Sequence, residues 1–176
     1  MKKLIAILTA LFALTACTSD LVLSPTQTET PMDNNFSFIF QYISCGEVPV
    51  DILDTKSPTL IHTPLGETKS ITISFQLTQA ELLSVYQKVI AIDFFGYPAD
   101  FTIPSGYVAV TEAPASSYQI SVINGDKANN VTWIGGSSQT DYSKAIQLME
   151  LFNLVEDIIR SHPEYQQLPP HSVACL

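Results

Sequence analysis

Phe36, Phe38, Phe40 and Tyr42 alternate with Ser37, Ile39, Gln41 and Ile43. A period of two with aromatic residues on one face predicts a strand. Val48 to Leu53 predicts a short second strand. Ser57 to Lys69, interrupted by Pro58, Pro64 and Gly66, reads as a loop. Ile71, Ile73, Phe75 and Leu77 then alternate with Thr72, Ser74 and Gln76, the cleanest half-buried strand pattern in the chain. It runs directly into Thr78-Gln79-Ala80-Glu81, the spacing of a capping box, with Leu77 and Leu82 placed as a hydrophobic staple. Leu82, Tyr86, Val89 and Ile90 recur at helical spacing and predict the buried stripe of a first helix. Asp93 to Pro98 ends it, with Gly96 available for a left-handed turn and Pro98 barring extension.

Tyr107 to Thr111, between Pro104 and Pro114, predicts a short strand. Tyr118, Ile120 and Val122 alternate with Gln119 and Ser121, Asn124-Gly125-Asp126 begins a turn, and Val131 and Trp133 start a return strand. The spacing predicts a hairpin with a loop longer than two residues. Gly135 to Thr140 reads as a loop. From about Asp141 to Ser161, Ala145, Leu148, Met149, Phe152, Val155 and Ile159 line one helical face, widened by Leu151, Leu154 and Ile158. Pro163, Pro169 and Pro170 end regular structure beyond it. The order of elements predicts an α+β domain: an antiparallel sheet of about four or five strands with two helices packed on one face.

The N-terminus follows a different pattern. Lys2 and Lys3 precede an uncharged apolar run, Leu4 to Ala16, that is too short to span a bilayer as a helix. The run ends in Leu14-Thr15-Ala16-Cys17, which resembles the lipobox of bacterial lipoproteins. The resemblance implies removal of residues 1–16, transfer of diacylglycerol to Cys17 and fatty acylation, palmitate included. A plain secretory signal with a chance cysteine is the alternative. Thr18 to Asn35 is rich in Ser, Thr, Pro, Asp and Asn and reads as a flexible tether, reaching roughly 20–25 Å by coil statistics. The expected organisation is therefore a leader over 1–16, a lipidated cysteine and tether over 17–35, and one globular domain over 36–176.

The full chain carries 8 basic and 17 acidic residues. Loss of Lys2 and Lys3 with the leader would leave six basic against 17 acidic residues, a net charge of −11. Such a domain repels nucleic acid and anionic headgroups, so any membrane link must come from lipid on Cys17. Two acyl chains meet the requirement for stable anchoring. Cys45 and Cys175 then remain as an even pair. In an oxidising compartment they could form a disulfide, worth about 4–5 kcal/mol for a loop of this length; two buried thiols are the alternative.

Catalytic motifs are sparse. No G-x-S-x-G elbow or Ser-x-x-Lys occurs. His62, His162 and His171 are far apart, lie in loops or past a helix end, and lack the i, i+4 spacing of a zinc helix, so no metal or cofactor is expected; His162 and His171 could meet in the C-terminal segment, where a solvated surface is the simpler reading. Asn124 to Asn130 lacks the calcium-loop pattern and reads as turn chemistry. Gly135-Gly136-Ser137-Ser138 lacks the Walker spacing and reads as a connection. Asp93 and Asp100 flank Phe94, Phe95, Tyr97 and Phe101. Paired carboxylates beside aromatic faces could bind or cleave a glycan, with Phe94, Phe95 and Tyr97 as stacking residues. The simpler alternative folds the aromatic residues into the core and leaves Asp93 to the turn.

Phe38-x-Phe40-x-Tyr42-x-x-Cys45-Gly46, Leu77-Thr78-x-x-Glu81-Leu82 and Ile92-Asp93-Phe94-Phe95-x-Tyr97-Pro98 together resemble small uncharacterised bacterial lipoproteins. The resemblance implies the lipid on Cys17 and supplies no activity. The reading that follows is a non-catalytic interaction module, lipid-anchored at the cell membrane or outer membrane, facing the periplasm or exterior and meeting an envelope protein or glycan. Two other readings are an envelope hydrolase using Asp93 or Asp100, and an inhibitor or immunity-type protein whose acidity covers a basic active site.

Overall fold

The alternating aromatic segment becomes the central strand. In a computed structural model of the chain, residues 32–44, 48–64, 67, 69–110, 116–135 and 139–169 are described. Strand β1 (Ser37–Ser44) pairs antiparallel with β2 (Val48–Asp54) on one side and with β6 (Ser117–Asn124) on the other. Strands β3 (Thr59–His62) and β4 (Ile71–Ser74) continue outward from β2, and β7 (Lys127–Ile134) continues from β6. The result is one six-stranded antiparallel sheet in the order β4-β3-β2-β1-β6-β7. Helix α1 (Gln79–Ala91) follows β4, and helix α2 (Ser143–Ser161) follows a small second sheet of β5 (Ala109–Val110) and β8 (Gln139–Thr140). The fold is α+β, with one strand more than the upper expectation.

The extra strand is β3. Four residues between Pro58 and Pro64 are too few to show a period, yet Leu60 and His62 both point inward against β2. Tyr107 to Thr111 contributes only β5, outside the main sheet.

The buried face explains why one side of the sheet takes the helices. Leu60, Leu53, Phe40, Ile120 and Val131 form one row across five strands and are all fully buried. Ile39, on the opposite face of β1, is 38% exposed. Phe152 of α2 covers the row. Its ring stacks on Tyr118 at 4.7 Å and 10°, and lies 6.2 Å from Phe40 and 6.4 Å from Trp133. Burial of each such side chain contributes roughly 1.5–3 kcal/mol.

Helix α1 starts as its capping box dictates. The Glu81 amide donates to Thr78 Oγ1 at 3.3 Å, and the Thr78 amide donates to Glu81 Oε2 at 2.7 Å. Thr78→Ala is expected to cost about 1 kcal/mol, read as a lower urea midpoint; an unchanged midpoint would show that the cap is dispensable. The helix's inward stripe is rotated from expectation. Val85, Tyr86 and Val89 are buried, Leu82 is half-buried, and Ile90 is exposed.

Three turns also differ. Asp93, not Gly96, takes the left-handed conformation after α1, with φ 53°. Short acidic side chains tolerate that region because they bond locally. A Cβ at Gly96 would meet Asp93 Oδ2 at 2.8 Å, so the exposed carboxylate would have to swing aside. The β6–β7 hairpin is tight: Asn124 pairs with Lys127, leaving Gly125 and Asp126 as the loop. Gly125 has φ 62° while Asp126 does not have positive φ, the pattern of a type II′ turn. Finally, Pro163 does not end regular structure. It opens a short helix, α3 (Pro163–Gln166), at the first position, where its missing amide proton costs nothing.

At the domain's beginning, Met32 packs against the core, and the Phe36 amide donates to the Asp33 carbonyl at 2.9 Å. Among the described residues no helix is long and apolar enough to cross a membrane. Cys17, Cys45, Cys175 and the leader lie outside the described residues.

Candidate functional site

The acid and aromatic corner is built by the end of α1 and the segment that returns to β7. Asp93 and Asp100 are both exposed. Phe94 and Tyr97 are buried in the core, and Phe95 is half-buried. The Tyr97 hydroxyl donates to the Lys144 carbonyl at 2.9 Å, and its ring stacks on Phe94. Burial, with the nearby Tyr142 and Asp93, pushes that hydroxyl's pKa up to about 12. Phe94 and Tyr97 thus give their faces to the protein interior, with none left for a sugar. Asp100 instead sits where the chain closes the outer edge of β7: the Phe101 amide donates to the Thr132 carbonyl at 2.8 Å, and the Thr132 amide to the Ala99 carbonyl at 2.7 Å. Asn129, expected in a turn, lies in β7. Its amide group donates to the Phe94 and Tyr97 carbonyls, both at 3.0 Å. These contacts cover a sheet edge that would otherwise present open hydrogen-bonding groups.

A second cluster lies where the inner face turns polar. One step along from the apolar row, the register aligns His62, Asp51, Tyr42, Tyr118 and Trp133 across the sheet. His62 lies in β3, not in a loop. Its side chain is 1% exposed, and its Nδ1 lies 2.8 Å from Asp51 Oδ1, itself in a side chain 8% exposed. Asp51 Oδ2 accepts from the Tyr165 hydroxyl at 3.0 Å. His62 Nε2 lies 3.1 Å from the Pro169 carbonyl. A register shift between Tyr42 and Ile43, beside Pro49, breaks the alternation in β2, so that Val50 and Asp51 are both buried. His162 is likewise engaged: its Nε2 lies 3.0 Å from Glu81 Oε1 and its ring 4.4 Å from that of Phe75.

Glu156 of α2 approaches the same cluster. Its carboxylate pairs with Arg160 at 2.6 Å, one helical turn on. Oε1 is enclosed with no hydrogen-bond partner among the described residues. Burial raises the Glu156 pKa above the ordinary 4.5; Arg160 opposes this, the charges of Asp51 and Asp157 add to it, and the Tyr118 hydroxyl opposes it. Burial first, then the Glu156 charge, also pushes the Tyr118 hydroxyl up.

The native state therefore binds the Glu156 proton more tightly than the unfolded chain does. This contribution to stability falls as pH rises from 4.5 through the raised native value. Glu156→Gln removes the buried charge and is expected to raise the thermal midpoint at neutral pH by roughly 2–4 °C, with a smaller gain in acid. Urea midpoints across about pH 4 to 8 check it; a gain independent of pH would mean that the carboxyl is not the cause.

Elsewhere, an open groove of about 490 Å³ lies where the chain enters β1, lined by Asn34, Ser37, Thr55, Lys56 and Gly125 among others. It brings together none of the residues singled out from the sequence for chemistry. Among the described residues, no group of three or more His, Cys, Asp or Glu side chains is arranged to hold a metal ion.

The Asp51–His62 pair is buried and joins β2 and β3 to the segment that carries Tyr165 and Pro169. The sequence pattern contains a sign of it: Asp51 has the inward parity of Leu53, and His62 that of Leu60. A polar residue at a core-facing parity position in two paired strands requires a partner. Compared with protein-family models the chain matches none, and it matches no curated protein.

Proposed function

We propose that this chain is a lipid-anchored protein of the bacterial cell envelope whose domain is a non-catalytic interaction module. The observation that carries the reading is the sequence Met1 to Cys17: two lysines, an uncharged apolar run and the Leu-Thr-Ala-Cys ending. Supporting the non-catalytic part, the described aromatic residues of the corner and the Asp51–His62 pair are committed to holding the fold. The net acidity favours a partner with a basic or neutral contact surface.

The test is growth with an alkyne fatty acid in a bacterial host, followed by coupling of a fluorophore to the alkyne. Label on the wild-type chain, lost in Cys17→Ser, supports the anchor. A secreted, unlabelled wild-type chain cleaved before Cys17 would replace it with the plain secretory reading. Recovery of one envelope component with the wild-type chain, in a salt-sensitive manner, would support the interaction module. Turnover of an envelope glycan that is lost in Asp93→Asn or Asp100→Asn would overturn it in favour of a hydrolase.

A further inference from the structure

The two outer strands of the sheet end differently. At β7 the outward-facing Thr132 is already bonded, its amide to the Ala99 carbonyl and its carbonyl to the Phe101 amide. Among the described residues β4 has no such cover. The Phe75 amide donates to the Pro58 carbonyl at 2.9 Å, and the register of β3 with β4 sets those two residues directly opposite each other. An antiparallel ladder alternates bonded and non-bonded pairs. Counting back from Phe75, Ile73 with Leu60 and Ile71 with His62 are bonded pairs, while Ser74 with Thr59 and Thr72 with Ile61 are not. The amides and carbonyls of Thr72 and Ser74 therefore point away from β3, along the open edge. Among the described residues no group bonds to them.

Proteins blunt such edges with a charge, a proline, a bulge or a covering segment. β4 carries none of these. Ile71, Thr72 and Ile73 are β-branched, and the register to β3 is unbroken. Thr72 and Ser74 are exposed, and Ile71 and Ile73 are half-buried. Charge singles out the same edge. The chain carries a net charge of −9, so two copies repel one another over most of their surface. Ser70 to Ala80 contains no charged residue, and the repulsion is weakest there.

We infer that β4 is a homodimer edge: two copies of this chain pair β4 against β4, antiparallel about a two-fold axis, into one continuous sheet. A second copy fits because the edge is complementary to itself. A register centred on Ile73 bonds Thr72 to Ser74 of the second copy, and Ser74 to Thr72 of that copy. It also sets Ile73 beside Ile73 of the second copy, a β-branched cross-strand pair. A strand of 4 residues buries little side-chain area, so the pairing depends on protein concentration. It is independent of lipid at Cys17, since it uses only β4.

Amide exchange followed by NMR on the full chain in detergent, at about 20 µM and about 1 mM, tests this. The Thr72 and Ser74 amides are expected to exchange at least about tenfold more slowly at the higher concentration. Ile71 and Ile73, bonded to β3 in either state, should change far less. Sedimentation should show the protein mass doubling over the same range. Ser74→Pro removes an outward amide proton that β3 does not use, and should abolish both effects with the fold retained. Thr72→Lys sets like charges across the two-fold axis and should also abolish them, without touching the backbone. Fast exchange at Thr72 and Ser74 at both concentrations overturns the inference. So does a dimer that survives in a folded Thr72→Lys chain. Protection of these two amides by an extended segment of another protein, in a chain that stays monomeric at about 1 mM, would also overturn it.

Discussion

Phe152→Ala is expected to lower the stability of the domain by about 3–5 kcal/mol, the range for a large aromatic side chain removed from a close-packed core. Phe152 is fully buried and is the one α2 ring in contact with three aromatic side chains of the sheet. Deleting it loses the stacking on Tyr118 and opens a gap beside Phe40 and Trp133 that rigid neighbours on the sheet cannot close. The thermal midpoint should fall by roughly 10 °C, at about 2–4 °C per kcal/mol for a domain of this size. Phe152→Leu, which keeps much of the volume, should cost markedly less. Equal losses in the two variants would show that the site collapses freely and that α2 is not docked through this ring.

Asp51→Ala carries the second largest expected effect, about 3–5 kcal/mol, for a different reason. The substitution removes the carboxylate that both the His62 ring, 1% exposed, and the Tyr165 hydroxyl contact. The desolvation cost of His62 and Tyr165 remains after their acceptor is gone. Asp51→Asn retains an oxygen for Tyr165 and should cost about 1–2 kcal/mol. Equilibrium denaturation checks both variants. A loss for Asp51→Ala within about 0.5 kcal/mol, the range of ordinary surface positions, would mean that the pair is solvated in solution.

Much of the architecture was legible because local rules and tertiary demand agree in the longer elements. β1 and β6 show their period over eight residues each, α2 shows its stripe over nineteen, and Thr78 and Glu81 satisfy one another within four residues. β3 was not legible, because four residues between prolines carry no usable period and its pairing is with residues 51 to 54, supplied by the fold. The acid and aromatic corner left two readings open, and the structure follows the simpler one. Asp93, Phe94, Phe95 and Tyr97 are adjacent in sequence, but the turn after α1 directs Phe94 and Tyr97 inward and leaves Asp93 outside. The buried cluster was missed because His62, Asp51 and Tyr165 are separated by 11 and 114 residues.

The sequence by itself determined what short-range chemistry can decide. It specified the start of α1 and the inward face of α2. Each depends on residues within a few turns or a few pleats of one another. Tertiary structure alone decided where β3 joins the sheet, which way the residues after α1 point, and that His62 meets Asp51 and His162 meets Glu81. Those outcomes depend on strand register and on groups brought together from opposite ends of the chain. The free energy of burying an imidazole or a carboxylate is settled only when its partner arrives.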